Sequence, residues 1–254
     1  MTQAVLLLSH GSRDPRAERV AGQLVAALAR RLRVEVRASY LDFTDPTPEA
    51  ALRDLAGAGF DDVRLVPLLF TPGYHVSHDV PGAVDASGVR GVRVAPPLIT
   101  VTPRSRFQLL RALTDRLAEA GAADFDGLVL AAAGSSSPAA REAVGGLSRD
   151  LGELHGVPCR PAFASAAGPR VAESVSDLRG RGVRRPAVAS LFVAPGRLSD
   201  ASAASAVPTV SAASAVSAAS APDVPVAAPL GTTPAFVELL ADHARLAAAA
   251  PPGG

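Results

Sequence analysis

The sequence of 254 residues has few of the residue types on which several classes of protein depend. It has one cysteine, Cys159, which excludes an internal disulfide and a cluster of thiolate metal ligands. Tryptophan is absent and aromatic residues make up only 4%, which argues against a surface that stacks nucleic-acid bases. The net charge of +1 provides no broad basic surface, so we expect no nucleic-acid partner.

Long apolar runs are also lacking. Ala4–Leu8 and Leu65–Phe70 have the length of a strand and are too short to span a bilayer. The N-terminus has no charged leader followed by an apolar signal region, so we expect a cytoplasmic protein with no membrane partner. The apolar content of 48% is nevertheless enough for one large α/β domain or two smaller lobes.

Short β-type runs alternate with amphipathic helical stretches along the first half of the chain. The strand candidates are Val5–Ser9, Val34–Leu41, Val63–Phe70 and Val92–Ala95, and the helix candidates are Arg16–Leu32, Thr47–Ala58 and Arg104–Ala120. This alternation predicts parallel βαβ units in a layered sheet.

The second half of the chain repeats the first at a fixed spacing. The turn His10-Gly11-Ser12 aligns with Ala133-Gly134-Ser135, an offset of 123 residues. The same offset relates Pro15 to Pro138, Pro46 to Pro169, Gly59 to Gly182 and Pro72-Gly73 to Pro195-Gly196. We therefore predict an α/β protein with two similar lobes, 1–122 and 123–247, each a parallel sheet flanked by helices, with a cleft between them. Two lobes within one chain favour a monomer.

An insertion interrupts the repeat in its second half. The offset grows to 132 by Pro97-Leu98, which corresponds to Pro229-Leu230, and the Ala/Ser-rich tract 201–221 lies before that point. We predict a short helix in this tract, broken near Pro208 and followed by a loop, with no chemistry of its own.

Chemistry-bearing side chains follow the first three strands of the N-terminal lobe. His10 follows the first strand, Asp42 the second and His75 the third. Because the carboxyl ends of parallel strands meet at one edge of a sheet, we expect these side chains to project into one crevice. The corresponding residues of the second half are Ala133, Ser165 and Leu198. The active site is therefore predicted in the first lobe, and the second is a degenerate repeat that keeps only the architecture.

Imidazoles and a carboxylate are a suitable ligand set for a divalent ion such as Co²⁺, Ni²⁺, Fe²⁺ or Zn²⁺. Neutral imidazole also accepts a proton near pH 7. His78 and Asp79 lie in a loop beyond His75, either as secondary ligands or as solvated residues. His155 and His243 are interpreted as surface residues of helices.

Two further side-chain roles stay open at this point. Arg13 either pairs with a carboxylated ligand or caps its own Asp14. Gly11-Ser12 before a helix suits a phosphate, but the glycine spacing of a dinucleotide loop or P-loop is missing. A phosphoryl-transfer enzyme that uses His10 is a remote alternative, because Ser9 precedes His10-Gly11 where histidine phosphatases have an arginine.

Three segments resemble the sirohydrochlorin chelatases of the class II chelatase superfamily: "LLLSHGSRDPRA" at 6–17, "YLDFTDPTPEAAL" at 40–52 and "LVPLLFTPGYHVSHDVP" at 65–81. The likeness continues in "LFVAPGRLSD" at 191–200 and "VAAPLGTTPAF" at 226–236, as in the long, two-lobe form of the family. The resemblance implies that His10 and His75 bind the metal and assist its insertion. It implies Asp42 as a further ligand, although many relatives have the longer glutamate there.

The resemblance also implies a reaction, in which Co²⁺ or Fe²⁺ (with Ni²⁺ also suited to the ligands) is inserted into sirohydrochlorin for cobalamin or sirohaem biosynthesis. No cofactor beyond the divalent metal substrate is expected. Ser12, Arg13 and Tyr74 are the candidate contacts to the macrocycle, and Leu68, Leu69 and Phe70 are expected to line it. The alternative function is a non-catalytic carrier of metal or tetrapyrrole, which would agree with a second lobe that lacks the histidines and the aspartate.

Overall fold

The computed structural model describes residues 2–99, 102–165, 168–206 and 224–249. These residues form two compact units. The first contains the described residues of Met1–Ala112 and Gly231–Gly254, and the second contains those of Leu113–Leu230. The last helix of the chain therefore belongs to the first unit. The lobe boundaries drawn from the repeat, and the cleft expected between the lobes, stay predictions.

The first unit is built on a parallel sheet with the strand order β2-β1-β3-β4. Its strands are β1 (Gln3–Ser9), β2 (Glu35–Tyr40), β3 (Asp62–Pro67) and β4 (Val92–Val94). Its helices are α1 (Pro15–Leu32), α2 (Pro48–Gly57), α3 (Val80–Ser87), the first part of α4 (Pro103–Glu119) and α8 (Pro234–Ala249). A π-helical segment, His75–Asp79, leads directly into α3.

Local sequence accounts for the ends of α1. Asp14 caps it, because a side-chain oxygen of Asp14 accepts a hydrogen bond from the amide of Arg16 at 2.9 Å. Pro15 occupies the first turn, where a missing amide hydrogen costs nothing. The helix ends at Arg33, which adopts the left-handed conformation with φ 59°. The cap begins α1 five residues after His10 and so fixes the length of the turn that carries the histidine.

The core of the first unit surrounds β1, whose five consecutive apolar residues Ala4–Leu8 are all buried. A run buried on both faces is typical of the central strand of a parallel sheet. One side of the core packs against α2 and α3, and α8 packs against β3 and α1. An ion pair between Arg31 and Glu238 joins α1 to α8. The prediction that His243 is a surface residue is wrong, because α8 turns this side chain into the core, where it is fully buried.

The second unit contains a smaller parallel sheet with the order β6-β5-β7. Its strands are β5 (Gly127–Ala132), β6 (Cys159–Phe163) and β7 (Pro186–Leu191), and its helices are α5 (Pro138–His155), α6 (Val171–Gly180) and α7 (Arg197–Ala204). The start of the Ala/Ser-rich tract forms the end of α7. Residues 207–221 of that tract, including the predicted break near Pro208, lie outside the described residues.

The predicted α/β class, with two parallel sheets flanked by helices, is confirmed. One local prediction is wrong: His78 and Asp79 lie in the π-helical segment rather than in a loop. Within the described ranges, no helix is both long and apolar enough to cross a membrane.

Candidate active site

A backbone contact between two strand ends places His10 and Asp42. The amide of Asp42 donates to the carbonyl of His10 at 2.9 Å, just beyond the last paired residues of β1 and β2. Gly11 follows with φ 92°, a conformation that favours glycine. A Cβ on Gly11 would lie 1.7 Å from the Asp42 carbonyl oxygen, so only glycine allows the two chains to approach this closely.

The second unit builds the same turn without the histidine. Gly134 has φ 97°, and a Cβ added there would lie 2.1 Å from the carbonyl oxygen of Ser165. The amide of Ser165 donates to the carbonyl of Ala133 at 2.9 Å, as Asp42 does to His10. The glycine turn is therefore a structural feature of both units, and only the turn of the first unit carries a histidine.

His75 lies in the segment that follows β3, and it is the first residue of the π-helical segment. The amide of Val80 donates to the His75 carbonyl, which is the i to i+5 hydrogen bond of a π-helix. Nδ1 of His75 lies 2.5 Å from Oδ2 of Asp79. Segments of this kind are rare and often occur at functional sites. The sequence allows Asp79 to be either a secondary ligand or a solvated residue, and the structure places its carboxylate in direct contact with His75.

The structure brings His10, Asp42 and His75 together. The ring centroids of the two histidines are 4.7 Å apart, with the rings inclined at 45°. Nδ1 of His10 lies 3.8 Å from Oδ2 of Asp42. Rings at this separation are close enough to share one metal ion when each directs a nitrogen toward it, since such bonds are about 2 Å long. Among the described residues, no three His, Cys, Asp or Glu side chains are already arranged to hold a metal ion, so the three-ligand set stays a prediction.

Burial and the neighbouring histidine lower the pKa of His10 below its ordinary value, in that order of importance. The carboxylates of Asp42 and Asp79 act in the opposite direction, but the net effect is a lowered pKa. His10 is therefore neutral at neutral pH, so it has a nitrogen lone pair to offer to a metal ion or a proton.

Three aromatic and basic side chains surround the histidines. Tyr74 is 68% exposed, and its ring stacks on that of His78 with the centroids 4.5 Å apart. The rings of Phe43 and His10 are nearly perpendicular, with their centroids 6.2 Å apart. The guanidinium carbon of Arg13 lies 4.9 Å from the centre of the Phe43 ring. Phe43 was not singled out from the sequence, because an isolated aromatic residue after a strand carries no motif.

The other predicted contacts have varied outcomes. Asp14 is paired by Arg16, so the structure does not support the alternative in which Arg13 caps Asp14. The hydroxyl of Ser12 accepts a hydrogen bond from the amide of Asp14 at 3.0 Å, which gives it a place in the turn. The prediction that Leu68 lines the macrocycle is wrong, since this side chain is buried.

The partly buried Leu69 packs against the core, and the ring of Phe70 lies 6.4 Å from that of Phe236 on α8. Their expected role in lining the macrocycle stays a prediction. His155, predicted to be a surface residue, is half-buried at the end of α5, where its Nε2 lies 2.9 Å from the hydroxyl of Thr114.

Comparisons with curated proteins identify one relative that matches 70% of this chain and others that match about a third of it. Sirohydrochlorin ferrochelatase of Bacillus subtilis (strain 168) is 29% identical over 189 residues, which are 70% of this chain and 69% of that protein. Sirohydrochlorin cobaltochelatase of Methanosarcina acetivorans is 33% identical over 79 residues, which are 31% of this chain and 61% of that protein.

Solved structures share the fold over nearly the full length. SirB from Bacillus subtilis with Fe³⁺ has a TM-score of 0.78 at 24% identity, covering 98% of this chain and 96% of that one. SirB from Bacillus subtilis subspecies spizizenii in complex with cobalt has a TM-score of 0.77 at 21% identity, covering 99% of this chain and 97% of that one. The CbiX family model matches residues 4–119 and again 127–247, once in each half of the repeat. The chain therefore belongs to the CbiX family.

Proposed function

We propose that this protein inserts a divalent metal ion into sirohydrochlorin. The observation that carries the proposal is the pair His10 and His75, which two separate strand ends bring to a centroid distance of 4.7 Å. Its relatives are named sirohydrochlorin ferrochelatase and sirohydrochlorin cobaltochelatase, which supports the same reaction class for this chain.

Insertion requires the pyrrolic protons to leave the macrocycle while the substrate metal exchanges its water ligands for ring nitrogens. The neutral imidazole of His10 offers a lone pair to the incoming ion. His75 shares its Nδ1 with Asp79, which leaves Nε2 as its lone-pair nitrogen. Once the ion moves to the ring, the same nitrogens are free to accept the departing protons. The two histidines therefore perform both tasks in sequence, which requires that they bind the metal only transiently.

Asp42 is proposed as a third metal contact. Its carboxylate lies beside His10 at 3.8 Å and is more than half exposed, so it has free lone pairs on the solvent side. Neutral imidazoles with one carboxylate suit Co²⁺ and Fe²⁺ alike. We propose cobalt or ferrous iron as the substrate metal, with no further cofactor.

Arg13 and Tyr74 are proposed as contacts to the macrocycle. Arg13 is exposed beside His10, and its guanidinium can donate paired hydrogen bonds to a carboxylate of sirohydrochlorin. Tyr74 presents an exposed ring next to His75, at a centroid distance of 6.3 Å. Ser12 remains a candidate through its position in the turn.

The test is to mix the purified protein with metal-free sirohydrochlorin and Co²⁺, Fe²⁺ or Ni²⁺ without oxygen and to follow the absorption spectrum. We expect insertion faster than in buffer, and a loss of about a hundredfold or more in His10→Ala and in His75→Ala, because each removes a metal ligand and proton acceptor. His155→Ala, in the second unit, serves as the matched histidine control and keeps its rate. Tight binding of metal and ring with no acceleration would instead identify a carrier.

A further inference from the structure

Phe43 is held in a backbone conformation that phenylalanine rarely adopts. Its φ is 64°, and the amide of Thr44 donates to the carbonyl of Asp42 at 2.8 Å. Phe43 is therefore the central residue of a three-residue turn closed by an i to i+2 hydrogen bond. Turns of this type with a positive φ are uncommon and strained, and a bulky side chain adds to the strain.

Contacts on either side of Phe43 maintain this conformation. Before it, the amide of Asp42 is bonded to the carbonyl of His10 at 2.9 Å. After it, the hydroxyl of Thr44 donates to the carbonyl of Ser12 at 3.2 Å. Both anchors lie in the turn that carries His10, so the same contacts that position the histidine also force the phenylalanine outward.

The strained turn exposes the Phe43 ring instead of burying it. The side chain is 60% exposed, its ring is nearly perpendicular to that of His10, and the Arg13 guanidinium lies over it at 4.9 Å. Neither core packing nor backbone preference favours a phenylalanine here. Strain combined with an exposed apolar ring beside the candidate catalytic histidine therefore indicates a binding role.

The repeat supports this interpretation. At the offset of 123, the sequence has Ala166 in place of Phe43 and Ser136 in place of Arg13, whereas Gly11 is matched by Gly134. The phenylalanine and the arginine, like the histidines, occur only in the first half of the repeat, whereas the glycine occurs in both halves.

We propose that Phe43 and Arg13 together form a binding element that holds the macrocycle against His10. The phenyl ring contacts the flat conjugated ring system, and the guanidinium donates to a carboxylate at its edge. Phe43 is then the affinity-determining contact for the tetrapyrrole, distinct from the residues that bind the metal. The inference rests on the proposed function and adds to it the residue pair that recognises the ring.

Phe43→Gly tests the element, since glycine adopts a positive φ freely and removes only the side chain. We expect its affinity for metal-free sirohydrochlorin, measured by absorbance titration without metal, to fall about tenfold. KM for sirohydrochlorin should rise by a similar factor, with a much smaller change in kcat. The unfolding midpoint should be no lower than that of the unmodified protein, because the strain is relieved. Phe43→Trp, which keeps an aromatic face, should retain the affinity.

Further variants separate this effect from general damage. Phe107→Ala removes another exposed phenylalanine, 55% exposed on α4, and should leave sirohydrochlorin affinity unchanged. Arg13→Gln should weaken binding several-fold, and the double variant with Phe43→Gly should lose less than the product of the single losses, because both act on one contact.

The outcomes distinguish this inference from the proposed function. Co²⁺ binding to the protein alone should be the same in Phe43→Gly as in the unmodified chain. If Phe43→Gly binds the ring as tightly as the unmodified protein, which itself inserts metal, the binding element is wrong and the chelatase function stands. If the unmodified protein neither binds sirohydrochlorin nor accelerates insertion, both are wrong.

Discussion

Nδ1 of His75 lies 2.5 Å from Oδ2 of Asp79, four residues further along the same π-helical segment. An ionised carboxylate can only accept a hydrogen bond, so Nδ1 carries the hydrogen and the lone pair of the neutral ring is on Nε2. A carboxylate in this position also makes the ring a stronger ligand and restricts its rotation. Asp79 is thus a positioning residue for His75, and it belongs to the same helical segment.

Replacing Asp79 by asparagine should therefore impair metal handling without removing a metal ligand. We expect Asp79→Asn to lower either the affinity for Co²⁺ or the insertion rate by about 10- to 100-fold, because the His75 ring loses its fixed tautomer and orientation. Asp79→Glu, which keeps the carboxylate, should recover part of the loss. The measurements are a Co²⁺ titration of the protein alone and an insertion assay at saturating sirohydrochlorin.

Asp85→Asn is the matched control, since Asp85 is an exposed aspartate on the adjoining helix α3. It makes the same chemical change close to Asp79 and should affect neither measurement. An equal loss in both variants would show that the effect comes from net charge and not from the contact with His75.

The pKa of His10 should be measurably low in the metal-free protein. Burial and the proximity of His75 lower it, so a titration of the His10 ring protons by NMR should give a midpoint below the ordinary value of 6.5. Since only the neutral ring binds metal, insertion should be lost as the pH falls through this midpoint. A midpoint at or above 6.5 would contradict the electrostatic account of the site.

Asp42→Asn provides the complementary change. The Asp42 carboxylate raises the pKa of His10, so its removal should shift the His10 midpoint further down and move the acid limb of the insertion profile to lower pH. The same substitution removes a proposed metal contact and should therefore lower the maximal rate as well. An acid limb that moves to higher pH would be inconsistent with the contact at 3.8 Å.

Much of the fold could be predicted from the sequence because its signals are local. The predicted strand Val5–Ser9 and helix Arg16–Leu32 differ from β1 and α1 by one or two residues at their starts and share their ends. Their boundaries depend on an apolar run and on the Asp14–Pro15 cap, which short-range chemistry determines. The rule that parallel strands end at one edge was enough to bring His10, Asp42 and His75 together.

Other features of the site and core depend on contacts between distant segments, which local sequence signals do not reveal. The exposure of Phe43 follows from hydrogen bonds to His10 and Ser12, about 30 residues away along the chain. The segment around Asp79 is rich in glycine and proline and so resembled a loop, although its π-helical geometry joins it to α3. The burial of His243 follows from packing of α8 on the first unit, which the repeat alone could not reveal.

Buried His243 should make the protein less stable in acid. Its Nδ1 lies 2.9 Å from the carbonyl of Leu239, and burial lowers its pKa more than that carbonyl, the Pro97 carbonyl and Asp242 raise it. As the pH falls below the ordinary value of 6.5, His243 becomes protonated in the unfolded chain but stays neutral in the folded chain. The free energy of unfolding should therefore fall with pH until the lowered pKa of the folded state is reached.

Urea unfolding at several pH values between about 7.5 and 5 measures this effect. His243→Gln keeps an amide hydrogen for the Leu239 carbonyl but has no titrating group, so its free energy of unfolding should depend less steeply on pH. His10 and His155, whose pKa values burial also lowers, contribute equally to both proteins and cancel in the comparison. Identical slopes in the two proteins would exclude His243 as a source of acid instability.

Gly11 and Gly134, which occupy equivalent turns in the two units, allow the structural role of the turn to be tested apart from its catalytic role. Gly11→Ala and Gly134→Ala each place a Cβ within 1.7 or 2.1 Å of a backbone carbonyl oxygen and impose a positive φ on alanine. Each should lower the free energy of unfolding by about 1–3 kcal/mol or more, since the neighbouring strand end must move. Gly22→Ala, within α1 and with no atom beyond its chain neighbours and the helix's own backbone within 4 Å of the new Cβ, should instead raise it by about 0.5–1 kcal/mol.

Activity should distinguish the two destabilised variants, although their stability losses are alike. Gly11→Ala displaces His10 relative to Asp42 and should lose most of the insertion rate per folded molecule, because a shift of about 1 Å in a catalytic group can cost a hundredfold. Gly134→Ala distorts a turn that has Ala133 where the first unit has His10, so its folded molecules should insert metal at close to the unmodified rate. Both rates are measured at a temperature where unfolding curves show the variants to be folded. An equal loss of activity in Gly134→Ala would mean that the second turn has a chemical role of its own, and the assignment of all catalysis to the first unit would then be wrong.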